Sequence, residues 1–186
     1  MKLPGVCLIG FCILLCNCSQ PQAEGVRVYR LHTASAPTEE DAPHQAPTQH
    51  LQPQQRNHFV VTINEALLKQ NGHKHLEINL ATQRGVFYIN GQPALEFPVC
   101  TGMPGYETPT GSFTIKEKRR HHRSNIYHVT MPCFMRLTYD GIGLHVGDIR
   151  ATPSSHGCIR LPKEACLPIF NAVSYGTRVD IYHTAE

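Results

Sequence analysis

The chain begins with an apolar run, continues through a long polar stretch and then breaks into short alternating segments. Residues 3–16 are almost wholly apolar, preceded by Met1 and Lys2 and interrupted by Pro4, Gly5 and Gly10. The run is shorter than the roughly 20 residues that a membrane-spanning helix needs, and its length and charged start suit the central region of an export signal. Export from the cytoplasm is the reading it supports. Residues 19–57 carry Pro21, Pro37, Pro43, Pro47 and Pro53 and the Gln- and Pro-rich stretch 44–55. Apart from a brief alternation at Val26, Val28 and Leu31 they show no apolar period, so they cannot bury enough surface to offset the entropy of ordering. This segment is expected to be a disordered linker.

From residue 58 the pattern changes. Phe59, Val60, Val61 and Ile63 are apolar, and Thr62 followed by Glu65 fits a capping box that starts a short helix over residues 65–69, ended by Asn71 and Gly72. Leu76, Ile78 and Leu80 then alternate with polar residues, and residues 86–89 are β-branched or aromatic. Asn90-Gly91 reads as a hairpin turn leading into a strand over 94–100. Further short strands are expected at 113–115, 126–131, 135–139, 142–145 and 179–182. Residues 163–173 are the only later stretch with helical spacing, through Ala165, Cys166, Ile169, Phe170 and Val173, and Pro162 suits a first turn. A mainly β domain with one or two helices follows.

Composition narrows the class. The 186 residues suffice for one core of ordinary size plus a tail, and 41% apolar with 17% charged residues excludes full disorder and a multi-span membrane protein. Seventeen basic against 14 acidic side chains give a formal charge of +3, too small an excess to argue for nucleic acid. Eight cysteines in an exported chain would ordinarily suggest disulfides. Four of them, Cys7, Cys12, Cys16 and Cys18, lie in or at the end of the apolar run, which leaves Cys100, Cys133, Cys158 and Cys166 for the domain. Cys166 sits on a helical apolar face and reads as a small core residue.

Cys158 differs because of its neighbours, Ser155-His156-Gly157-Cys158-Ile159-Arg160. A nucleophilic thiol needs an imidazole base or nearby positive charge and an access path, and both kinds of neighbour are present. Gly157 can take backbone angles closed to other residues, which allows a tight turn aiming N–H groups at a developing oxyanion. His145 ends Gly141-Ile142-Gly143-Leu144-His145 and is the better general base, since its strand would fix it; His156 is as suited to supporting the loop.

These residues resemble the L,D-transpeptidase catalytic domain family, also called YkuD or ErfK, whose signature is a histidine followed by a Ser/Thr-His-Gly-Cys segment. The resemblance extends from about residue 75 to 182 through Cys100-Thr101-Gly102, Thr108-Pro109-Thr110-Gly111, His122-Arg123-Ser124-Asn125, Met131-Pro132 and Gly143-Leu144-His145. It implies a mainly β, sandwich-like fold with one or two short helices. It also implies Cys158 as nucleophile, His145 as general base, and the Val146 carbonyl as the group orienting the imidazole. Loop amides around His156, Gly157 and Cys158 would form the oxyanion hole, and Ser155, Arg160 and Arg123 would contact substrate. The loop from His145 to Ser155 is shorter than in many members of the family, and Cys133 stands where aromatic residues are common after Met-Pro.

The implied reaction is acyl transfer on peptidoglycan stem peptides. A tetrapeptide donor loses its terminal D-Ala to give a Cys158 thioester, which an amine resolves as a 3→3 cross-link or a protein attachment. No metal or organic cofactor is implied. Hydrolysis by the same cysteine, as an L,D-carboxypeptidase or an amidase, is the alternative within the enzyme class, and a wall-binding module with an idle site is the alternative outside it. The His-rich character raises His73/His75, His121/His122 and His145/His156/Cys158 as metal ligands, but no His-Glu-x-x-His or paired Cys-x-x-Cys spacing accompanies them. The basic run at 118–123 reads as a solvated hairpin tip, or as a patch attracted to wall carboxylates. At the N-terminus, Leu15-Cys16-Asn17-Cys18 resembles a bacterial lipoprotein signal with Cys18 as the lipidated residue, simple cleavage nearby being the other outcome. The expected organisation is a signal over 1–18, a linker over 19–57 and a catalytic domain over 58–186 with its core at 75–183. The protein would be periplasmic or in the cell envelope, and a lipid at Cys18 would tether it to a membrane.

Overall fold

The computed structural model describes residues 25–31 and 59–185. The apolar start, Cys18 and most of the polar stretch lie outside the described residues.

Alternation of apolar and polar side chains builds the larger sheet. Strands β1 (Val26–Arg30), β2 (Val60–Asn64), β3 (Lys74–Asn79), β4 (Arg84–Ile89), β5 (Gln92–Pro98), β6 (Gly111–Thr114) and β11 (Arg178–Tyr182) are ordered β1-β2-β5-β4-β3-β11-β6. Leu76 and Ile78, Phe87 and Ile89, and Val179 and Ile181 all point inward and are buried, as period-two patterning requires. Asn90 and Gly91 have φ of 53° and 76°, so the β3-to-β5 meander turns through the left-handed pair of angles that hairpin twist favours. Strand β11 returns parallel to β3, so the meander is closed by a crossover.

The second sheet has four strands, β7 (Glu117–Arg119), β8 (Phe134–Arg136), β9 (Gly143–Val146) and β10 (Ile159–Leu161), in the order β10-β9-β8-β7. Helix α1 (Glu65–Leu68) follows β2, and helix α2 (Lys163–Ala172) lies against β9, β2 and β5, bridging the two sheets. Its buried face is Ala165, Cys166, Ile169 and Phe170, the face expected from the spacing. Among the described residues the result is mainly β with two helices, as the sequence pattern predicts.

Several local expectations are corrected. Residues 26–30, placed in the disordered linker, form β1 and pair with β2 along the full strand, Val26 opposite Asn64 and Arg30 opposite Val60. The face that docks is not the Val26/Val28 face, which is largely exposed, but the one carrying Tyr29, with Leu31 also packed on the core. An Arg27–Glu65 ion pair at 2.9 Å and the Leu31 N–H on Phe59 O at 2.8 Å tie down its ends. Helix α1 is capped by Asn64 rather than Thr62, the Asn64 Oδ1 accepting from Leu67 N at 3.2 Å. Residues 126–131 do not form a strand. The Ser124 hydroxyl accepts from the amides of Ile126 and Tyr127, so a side chain takes the bonds that a ladder would have used.

The basic run is likewise not a free hairpin tip. Lys118 donates to Val173 O at 2.6 Å and lies over the Phe170 ring, and Arg120 donates to Asn171 Oδ1 at 3.0 Å. Two of its cations therefore tie α2 to β7 and the residue after it, while Arg119, Arg120, His121 and Arg123 remain exposed.

Gly143 marks the tightest approach between strands of the smaller sheet. A Cβ there would meet Met135 O at 2.4 Å and the Phe134 ring at 2.8 Å. Neither the β8 backbone nor a fully buried ring can yield easily. Gly143→Ala is expected to cost about 1–3 kcal/mol, read as a lowered midpoint in denaturant unfolding; an unchanged midpoint would mean that β8 and β9 separate freely.

Candidate active site

The site is built where β10 runs parallel to β9, with Ile159 opposite Leu144 and Arg160 opposite His145. That register brings the residue before β10, Cys158, alongside the strand that carries His145. A second strip of chain, residues 100–103, fastens the loop that leads into Cys158. Cys100 exchanges backbone bonds with Arg160, at 3.0 and 2.9 Å, Thr101 O accepts from the amides of Ser154 and Ser155, and Met103 N donates to Ser155 O. Thr101 is in turn held by Gln83, which accepts from its amide and donates to its hydroxyl.

The loop itself is internally bonded. Gly157 has φ of 100°, the left-handed region that a side chain disfavours, in accord with the tight turn expected there. Its carbonyl accepts from the buried Thr108 hydroxyl at 2.9 Å, and that hydroxyl accepts from Gly102 N at 2.9 Å. Gly102 has no room for a side chain, since a Cβ would lie 1.9 Å from Tyr106 O. The Ser155 hydroxyl accepts from Gly157 N at 3.2 Å and donates to the Cys158 carbonyl. Gly157 N–H is thus already engaged, which removes it from the expected trio of oxyanion donors. Ser155 is almost fully buried and spends its hydroxyl within the loop, so it is not displayed to a ligand.

His145 is buried, and its Nδ1 lies 2.8 Å from the Val146 carbonyl. A carbonyl only accepts, so Nδ1 carries the proton and Nε2 presents its lone pair. The Val146 amide donates to Pro132 O at 2.9 Å, so the Met131-Pro132 turn supports the group that orients the ring. Burial lowers the His145 pKa to about 4, the Val146 bond opposes that, and the cations Arg160 and His122 lower it further.

Cys158 is partly buried. Its thiol donates to Gly141 O at 3.8 Å. Burial pushes the thiol above its ordinary value, against an opposing hydrogen bond from Gly143 and the positive charges of Arg160 and Arg136. Burial thus acts on both groups in the direction of their neutral forms, thiol and imidazole.

Arg160 donates to Ser154 O at 3.3 Å, and the exposed Arg123 donates from Nε to His128 O at 3.0 Å, so each guanidinium also braces a loop. His156 is exposed, with its ring stacked on Tyr127 at 4.5 Å and edge-on to Tyr106 at 4.6 Å. Tyr106 and Tyr127 are both largely exposed, giving the His156 side of the site an aromatic rim. Sequence reasoning missed Tyr106 and Tyr127 because both sit in irregular loops, where no period marks a residue as facing anything. It also missed Thr108 as a loop support, although the Thr108-Pro109 segment was among the matching motifs. His122 is stacked on Phe134 at 4.3 Å. The histidine pairs raised as metal ligands do not gather, among the described residues, into a group of three or more metal-capable side chains.

Comparison with known proteins places this geometry. A family model described as the L,D-transpeptidase catalytic domain matches residues 73–181. The fold is similar to that of an L,D-transpeptidase from Stackebrandtia nassauensis, at 26% identity and a TM-score of 0.56, over 62% of this chain and 58% of that one. An L,D-transpeptidase from Mycobacterium tuberculosis H37Rv shares the fold at 24% identity and a TM-score of 0.55, over 59% of this chain and 57% of that one. One from Mycobacterium smegmatis does so at 20% identity and a TM-score of 0.56, over 60% and 59%. The chain thus spans less than two thirds of the length of each of these neighbours. No curated protein matches it. With the family model covering more than half of its residues, and with the signature histidine and Ser-His-Gly-Cys segment brought to one site, the chain belongs to the L,D-transpeptidase catalytic domain family.

Proposed function

We propose that the protein is a peptidoglycan L,D-transpeptidase in which Cys158 is the nucleophile and His145 the general base. The observation that carries this reading is the His145 Nδ1 bond to Val146 O, on a strand paired with the one that Cys158 immediately precedes. It leaves Nε2 as the acceptor a thiol attack requires.

In the reaction, the Cys158 thiol leaves Gly141 O and attacks the carbonyl of the third, diamino-acid residue of a tetrapeptide stem. Its proton passes to His145 Nε2, and the carbonyl oxygen becomes an oxyanion facing the amides of His156 and Cys158, since Gly157 N–H is held by Ser155. Collapse breaks the peptide bond to D-Ala, whose amine takes the proton from His145, and leaves a thioester. An acceptor amine then attacks the thioester, giving its proton to His145, and Cys158 departs as the thiol. A side-chain amine of another stem gives a 3→3 cross-link, and a protein amine gives an attachment. Export by the N-terminal run, with Cys18 lipidated or the chain cleaved nearby, would put the domain at the wall.

The direct test incubates the protein with disaccharide-tetrapeptide, as wild type and as Cys158→Ala, with and without EDTA, and reads products by mass spectrometry. A dimer lacking one D-Ala, absent from Cys158→Ala and unaffected by EDTA, is expected. Tripeptide alone would make the enzyme a carboxypeptidase, and no turnover would favour a binding role.

A pH series tests the neutral pair. Alkylation of Cys158 by iodoacetamide should be slow at neutral pH and climb toward and beyond the ordinary thiol value of 9, because burial raises this thiol. A plateau of fast alkylation between about pH 5 and 7 would instead reveal a thiolate–imidazolium pair. For turnover, kcat/KM should fall on the acid side only near pH 4, where His145 gains a proton and can no longer accept one. An acid limb near 6.5 would contradict the burial of that ring.

A further inference from the structure

Two thiols outside the catalytic site share one dry compartment of the core. Cys133 follows Pro132 in the turn that enters β8, is nearly fully buried, and has φ of 54°, a left-handed conformation uncommon for a residue with a side chain. Its amide donates to Arg120 O at 2.9 Å, so its main chain is fixed. Cys166 lies on the inner face of α2, is fully buried, and its Sγ sits 4.0 Å from the Cys133 carbonyl oxygen. Burial and the neighbouring Cys133 both push the Cys166 thiol up. The other two described cysteines are engaged elsewhere, Cys100 with Ser154 Oγ at 3.1 Å and Thr152 O at 3.7 Å, and Cys158 with Gly141 O.

We propose that Cys133 and Cys166 are joined as a structural disulfide that fastens α2 to the turn before β8. Both are free thiols in the structure described above, so the bond is a covalent modification of it. The Cys166 sulfur approaches the Cys133 main chain to 4.0 Å, and both residues belong to one packed core cluster, so the two side chains are neighbours. The residues stand 33 positions apart on different elements, so the bond closes a long loop and restricts the unfolded chain. It also bears on the site. Pro132, whose carbonyl holds the Val146 amide, directly precedes Cys133, so the link ties to α2 the turn that supports the acceptor of His145.

The chemistry needs an oxidant, and the proposal names one by class: an exchangeable disulfide, small or protein-borne, in the compartment that the export reading supplies. One cysteine thiolate attacks the oxidant disulfide and expels one thiol, forming a mixed disulfide. The second thiolate attacks the cysteine sulfur of that mixed disulfide, and the second thiol leaves. The two cysteines are oxidised by two electrons, the oxidant is reduced to two thiols, and the two cysteine protons end on them. Burial of both residues makes this slow in the closed core, so the bond forms while the chain folds.

The test refolds the full chain with oxidised glutathione and, separately, under full reduction, and maps both after alkylation and trypsin. The oxidised sample should contain residues 124–136 joined to 164–178, lighter than the two reduced peptides by two hydrogens. Its unfolding midpoint should be about 5–10 °C above that of the reduced sample, a gap that Cys166→Ala abolishes. Recovery of both peptides singly with alkylated cysteines after oxidative refolding would overturn the proposal, and so would Cys166 linked to Cys100 or Cys158. Since the readouts are peptide mass and midpoint, the outcome does not depend on whether the protein turns over a wall peptide.

Discussion

Parallel pairing of β10 with β9 is the constraint on which the site depends. In a parallel pair, residues at the same height share a face, so Arg160 opposite His145 sets how far into the sheet each side chain can reach. The approach to Cys158 must then come from a loop, and a loop beside buried sheet has polar main chain to satisfy. Residues 100–103 meet that demand, with backbone bonds from Cys100, Thr101 and Met103 to the far side of the loop. Thr108 meets the rest by linking Gly102 N to Gly157 O through one hydroxyl. Loss of the Thr108 hydroxyl would leave a buried acceptor and a donor without partners, a larger penalty than the net worth of either bond.

This division of labour explains which parts were legible in the sequence. The inward positions of β3, β4, β11 and α2 were readable because burial on one face imposes a period on residues such as Leu76, Ile78, Ala165 and Ile169. Cys158 and His145 stood out as candidates because nucleophile chemistry restricts residue type and because the glycine beside Cys158 suits a tight turn. What escaped was set by competition among weak local signals. Val26, Val28 and Leu31 advertised a period, but the docked face carried Tyr29, and an isolated strand has no stability until β2 offers an edge. Residues 126–131 had β propensity, yet a single hydroxyl at Ser124 captured the amides. Lys118 and Arg120 looked solvated because nothing in a sequence places Phe170 and Asn171 beneath them.

The same limit applies to the catalytic groups. Ser155, Gly157 and Arg160 were assigned to ligand or oxyanion on the strength of a motif, and the motif is real, but their hydrogen bonds run to the loop. Ser155 accepts from Gly157 and donates to Cys158 O, and Arg160 caps Ser154 O. A segment can be fixed in composition because it must fold one way, and not because each residue touches substrate.

Electrostatics then shape how such a rigid loop reacts. Burial acts on both partners in the direction that opposes charge, lowering His145 to about 4 and raising Cys158. An ion pair formed in advance would need the proton to move from a weaker acid than usual to a weaker base than usual, so burial favours keeping it on sulfur. The Arg160 charge does not reverse this, because it favours the thiolate and disfavours the imidazolium at once. In the proposed reaction, thiolate character would develop together with the new carbon–sulfur bond, with negative charge passing on to the carbonyl oxygen and the loop amides. A neutral thiol is also a poor target for stray electrophiles. On that proposal, the burial that delays ionisation would make reactivity depend on a carbonyl already in place.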